Sequence, residues 1–124
     1  MVICLIIFTL YNVFAASIDA SLIKAGEEIK HWKNGLIYFI MLSVAFLIFR
    51  NWYLIAALCF DRLVFFNIFL NRGRGLPTFY VSKSPKSVID KIFKPFGQWQ
   101  YLIYILLFIA LTVAAFVLPL YNNL

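Results

Sequence analysis

The feature that most constrains this chain is its long uncharged apolar runs. Residues 2–23, 52–70 and 99–118 are almost wholly aliphatic and aromatic, broken only by scattered polar groups. A helix needs about 20 such residues to cross roughly 30 Å of hydrocarbon, and each of these runs is long enough. A fourth run, 36–49, spans only about 21 Å at 1.5 Å per residue and needs a thinned bilayer or a snorkelling Arg50 to cross. Of the 124 residues, 65% are hydrophobic and 13% charged. Soluble domains run nearer 45–50% and 25%, so a soluble enzyme, a disordered chain or a nucleic-acid-binding domain is not the expectation. The runs predict one all-α domain, an integral membrane bundle of about four transmembrane helices joined by a connector over 71–98.

The first run, followed by Ala15-Ala16-Ser17, also fits a signal-peptide cleavage region. No Lys or Arg precedes it, however, so the positive segment that such peptides carry is missing and an uncleaved span is expected. Asn34-Gly35 is read as the stop that ends the first helical region, and Pro119 as a place for the last helix to end. Cys4 and Cys59 both lie inside apolar runs. They read as buried packing residues, since a disulfide framework belongs to loop-rich secreted chains.

Orientation follows from the basic residues. With four spans, loops 24–34 and 71–98 share one side and hold Lys24, Lys30, Lys33, Arg72, Arg74, Lys83, Lys86, Lys91 and Lys94. The other side holds Arg50. Excess Lys and Arg in short loops marks the cytoplasmic face, which puts both termini outside and the chain in the inner (cytoplasmic) membrane. Trp32, Trp52 and Trp99 fall at run boundaries, the level that amphipathic rings prefer.

In the connector, Arg72-Gly73-Arg74-Gly75 reads as a compact basic turn and Leu76-Pro77-Thr78-Phe79-Tyr80-Val81 as extended chain. Ser84-Pro85 reads as an N-cap with proline at the first helical position. Val88, Ile89, Ile92 and Phe93 then share one helical face while Lys86, Asp90 and Lys94 lie on another. That pattern predicts a short amphipathic helix near 85–94, ended by Pro95 and Gly97 and lying in the membrane interface. Arg72, Arg74, Lys83, Lys86, Lys91 and Lys94 are the expected contacts to anionic lipid headgroups, each worth about 1 kcal/mol near the surface. The net charge of +6 therefore needs no nucleic acid.

Ionisable groups at membrane depth are costly and face protein, water or one another. Asp61 and Arg62 fall near the middle of the third run, and Asn67 and Asn71 share a broad sector with Asp61. With Asp19 on the first helix, which shares a face with Asn12, they are candidates for a buried polar network or, alternatively, an ion path. Lys24, Glu27, Glu28 and His31 form a polar cluster at the cytoplasmic end of the first helix. Glu28-x-x-His31 has the spacing used in di-metal carboxylate bundles, but one motif and one His cannot build that site. No metal or cofactor is expected, and a solvated ion-pair face is the reading. Ser17, Ser21, Ser43, Ala15 and Ala16 read as small residues between helices. No phosphate loop or nucleophile motif is present, so no enzyme is expected.

The segments Asp19-Ala20-Ser21-Leu22-Ile23-Lys24-Ala25-Gly26 and Arg74-Gly75-Leu76-Pro77-Thr78-Phe79-Tyr80-Val81 resemble stretches in small, uncharacterised multi-pass membrane proteins of bacteria and their phages. The resemblance implies a multi-pass bacterial or viral membrane protein and attaches no activity. A phage origin would admit a holin-like pore. The function expected is helix–helix association, as a homo-oligomer or a subunit of a membrane complex, with the lipid bilayer as the other partner.

Overall fold

The computed structural model describes residues 1–27, 31–80 and 88–122. Among the described residues the regular structure is entirely helical. Helix α1 runs Val2–Lys24, α2 His31–Phe49, α3 Trp52–Asp61, α4 Asn67–Gly73, α5 Val88–Phe93 and α6 Trp99–Asn122. A π-helical turn, Arg62–Phe66, joins α3 to α4 without a break, so Trp52–Gly73 is one continuous rod. Among the described residues, this rod, α1 and α6 are the three helices long and apolar enough to cross a membrane. The apolar part of α2, Lys33–Phe49, is shorter.

The rod is the centre of the bundle. Helix α6 packs along α3, α1 packs along α4 and the π turn, and α2 reaches α3. One core cluster joins Phe8, Tyr38, Ala45, Leu54, Leu58 and Ala115 from four helices, and a second joins Ala15 and Ala16 to Phe66. Small residues allow the closest approach. A Cβ added at Gly73 would stand 2.6 Å from the Ala20 Cβ, so the backbones of α4 and α1 are nearly in contact there.

The exterior is apolar where that of a soluble protein is polar, and the core holds polar side chains beside its apolar ones. Large aliphatic side chains such as Ile3, Leu10, Leu47, Leu106 and Val113 are exposed, while Asn12, Asp19, Asp61, Asn71 and Gln100 are buried.

Several local expectations are corrected. Asn34-Gly35 does not stop a helix but lies within α2. The break falls earlier, where Gly26 takes φ +77° and its N–H bonds the Ile23 carbonyl while Glu27 N–H bonds Leu22. That is a Schellman closure, which needs a left-handed residue that glycine supplies without strain. Asn34 tolerates the helix because its side chain is held by Asp19. The stretch from Leu76 is not extended either: Tyr80 N–H bonds the Pro77 carbonyl in a turn, and Val81 lies outside the described residues. Of the amphipathic helix, Val88–Phe93 is present and passes into a 3₁₀ turn over Lys94–Phe96. The Ser84-Pro85 cap lies outside the described residues.

Nor does α6 end at Pro119; it continues to Asn122. A proline has no N–H for the carbonyl four residues back, which is that of Ala115. Asn51 replaces the missing donor, its Nδ2 lying 2.9 Å from the Ala115 oxygen. The two-residue α2–α3 turn places Asn51 there. Arg50 adopts φ +51°, and the Asn51 side chain also accepts from Leu54 N–H as the N-cap of α3.

Candidate functional site

The polar centre of the bundle forms where α3 passes into the π turn. Thr9 and Asn12 lie three residues apart on α1, so they share a face, and that face meets Asp61. Thr9 Oγ1 donates to Asp61 Oδ2 at 2.8 Å, and Asn12 Nδ2 donates to Asp61 Oδ1 at 3.2 Å. The second Asn12 amide hydrogen goes to the Tyr38 hydroxyl at 3.4 Å. Tyr38 in turn donates to the backbone carbonyl of Leu58. Arg62 Nη1 donates to Asn12 Oδ1 at 3.3 Å. Asn12 thereby uses all of its hydrogen-bonding groups except one lone pair, and three helices are tied through its side chain.

Asp61 and Arg62 are adjacent yet do not pair directly; Asn12 bridges them. Neighbouring residues of an α-helix point about 100° apart. A π turn holds more residues per turn and so closes that angle, which brings both side chains within reach of one partner. The guanidinium is held further between two rings, 4.4 Å from the Phe66 centroid and 5.0 Å from that of Tyr38. Such stacking suits the planar, weakly hydrated arginine head. Asn12 and Asp61 are both 0% exposed.

The remaining sequence-predicted residues do not join this cluster. Asp19 is buried and accepts from Asn34 Nδ2 at 3.3 Å through each oxygen, pinning α2 to α1. Asn67 turns back on its own helix, with Nδ2 bonding the Leu63 carbonyl at 2.8 Å while its backbone N–H goes to Val64. It thus mends the helix where the π turn displaces the regular ladder. Asn71 faces a different side, its Nδ2 lying within 3.1–3.2 Å of the Thr78 and Tyr80 carbonyls and the Tyr101 hydroxyl. It ties the connector to α6. The expected single stripe of Asp61, Asn67 and Asn71 is therefore three separate devices.

At the helix ends, Lys24, Glu27, Arg72, Arg74, Lys91 and Lys94 are exposed. Glu28, Lys83 and Lys86 lie outside the described residues, as does the side chain of His31. Among the described residues no group of three His, Cys, Asp or Glu is placed to hold a metal ion. Ser17, Ser21 and Ser43 do not pack between these helices: they are exposed and bond the carbonyls of Val13, Ser17 and Phe39. Ala15 and Ala16 do pack inside. Cys59 is exposed and Cys4 half-buried, so only Cys4 partly fits the packing expectation.

Thr9 and Tyr38 were not legible as site residues. The spacing of Thr9 and Asn12 was an available signal, whereas a tyrosine in an apolar run carries none.

What the fold defines, among the described residues, is a helical bundle with three helices long and apolar enough to cross a membrane and a hydrogen-bonded polar centre. No protein-family model, curated protein or solved structure matches the chain.

Proposed function

We propose that this chain is a four-span integral membrane protein that works by helix–helix association, either with copies of itself or as a structural subunit of a membrane complex. The observation that carries the reading is the exterior: bare Ile, Leu and Phe outside, around a core that also holds amide and carboxyl groups. In water such an exterior would drive aggregation, whereas in lipid it is the low-energy surface, and Asn12, Asp19, Asp61 and Asn71 find hydrogen-bond partners inside. Helix α2 is the fourth span. Its 19 residues cover about 28 Å, and the tight Arg50-Asn51 turn returns the chain directly into α3. Both termini then face out and the basic loops face the cytoplasm of a bacterial or phage-infected cell.

Two exposed stripes support association. On α1, Ile3, Ile7, Leu10 and Phe14 are spaced by four, three and four residues, and on α6 Leu102, Leu106, Ile109 and Val113 repeat that spacing. This is the seam geometry with which one helix packs on another. The polar centre favours a structural clamp over an ion path, because its groups are paired and Asn12, Tyr38 and Asp61 are buried.

Native mass measurement in lipid nanodiscs tests the proposal. A multiple of 14.4 kDa, or co-purification with a fixed second subunit, is the expected result. A lone 14.4 kDa species across mild conditions would contradict it.

A further inference from the structure

The contacts between α1 and the central rod climb together: Thr9 and Asn12 meet Asp61, and further along Ala20 meets Gly73. The two helices are therefore parallel and end side by side. Both ends close in the same way. Gly26 and Gly75 take left-handed φ values of 77° and 75°. Gly26 and Glu27 N–H bond the carbonyls of Ile23 and Leu22 at 3.0 Å, while Gly75 and Leu76 N–H bond those of Arg72 and Asn71 at 3.1 and 2.9 Å. Basic side chains at a helix C-terminus often fold back onto free carbonyls, but here these carbonyls already have backbone donors.

Three cations border this junction. Lys24 is one turn beyond Ala20, and Arg72 and Arg74 flank Gly73. All three are exposed and make no hydrogen bond or ion pair among the described residues. Two carboxylates, Glu27 and Glu28, are near Lys24 in sequence; Glu27 is exposed and Glu28 lies outside the described residues. On the same two helices, Ile18 at 59% and Phe69 at 37% exposure present apolar surface toward the bundle exterior. Charge at the helix ends with bare apolar surface above it matches an amphiphile rather than a soluble anion.

We propose that the paired ends of α1 and α4 bind the phosphate of an anionic phospholipid, with Arg72 and Arg74 as planar donors and Lys24 as a third. This rests on the membrane reading above, which sets these ends at headgroup level. The probe is the full chain in nanodiscs of equal phosphatidylglycerol and phosphatidylcholine, extracted mildly, with retained lipid counted by native mass spectrometry. Wild type should retain phosphatidylglycerol selectively. Arg72→Gln should lower that retention about fivefold, as expected for removing one cation near the surface, and Lys24→Gln with Arg72→Gln and Arg74→Gln should abolish it. Arg50→Gln, an exposed cation at the opposite end of the bundle, should leave it unchanged. Equal retention by wild type and the triple variant would overturn the site, as would an equal loss in the Arg50→Gln control. Displacement of the lipid by millimolar inorganic phosphate would overturn the lipid as ligand. A chain that stays in solution without a disc would overturn the membrane reading and the site with it.

Discussion

The side-chain amide of Asn51 bonds the carbonyl of Ala115, the one carbonyl that Pro119 leaves without its helical donor. The same side chain caps α3 through Leu54 N–H. Asn51→Ala should therefore cost about 1 kcal/mol for the cap and about 1–3 kcal/mol for the orphaned buried acceptor. Pro119→Ala restores an N–H to α6. In the Asn51→Ala background it should recover the second part, so that the double variant is milder than the sum. Thermal unfolding in detergent measures this coupling.

The polar centre makes a second prediction. Asn12→Ala strips Asp61 and Tyr38 of a donor and Arg62 of its acceptor at once, and should destabilise by about 1–3 kcal/mol or more. Asp61→Ala should be comparably severe, because groups around a buried charge lose their partner. The pair should be strongly non-additive, since both changes dissolve one network. Lys91→Ala, an exposed change, should stay within about 0.5 kcal/mol. Denaturation of the four variants in micelles provides the comparison.

A third prediction concerns the seam between α1 and α4. Gly73→Ala places a methyl 2.6 Å from the Ala20 Cβ, and overpacking of this kind costs about 1–3 kcal/mol. Ala20→Gly removes the opposing methyl. The double variant should be more stable than Gly73→Ala alone, which unfolding midpoints would show.

The long elements were legible in the sequence because hydrophobic length is a direct physical signal. Runs 2–23, 52–70 and 99–118 correspond to the three long helices, with ends shifted by a few residues. The finer stops were not. Asn34-Gly35 has turn chemistry, but a long-range partner, Asp19, holds Asn34 inside a helix. Gly26 has the same chemistry and does terminate α1, with nothing in the local pattern to rank the two. Pro119 misleads for a similar reason, since its donor deficit is met by Asn51 from 64 residues away.

For the site, residue type was informative and partnership was not. Asp61 and Arg62 stood out because charge is rare in an apolar run, and both are indeed in the polar centre. That Asn12 links them depends on a π turn, which adjusts the angle between adjacent side chains and leaves no recognisable pattern in Arg62-Leu63-Val64-Phe65-Phe66. Asn67 and Asn71 share a sector with Asp61 on paper, yet one repairs its own helix and the other anchors the connector.

The proposed four-span topology requires α2 to cross the membrane between Lys33 and Arg50. Single cysteines placed by Lys33→Cys and Arg50→Cys, in a chain with Cys4 and Cys59 changed to Ser, can be labelled in intact cells with a membrane-impermeant maleimide. In a four-span chain the cysteine at position 50 is labelled from outside, and the one at position 33 only after the membrane is permeabilised. Labelling of both from the same side would contradict that topology.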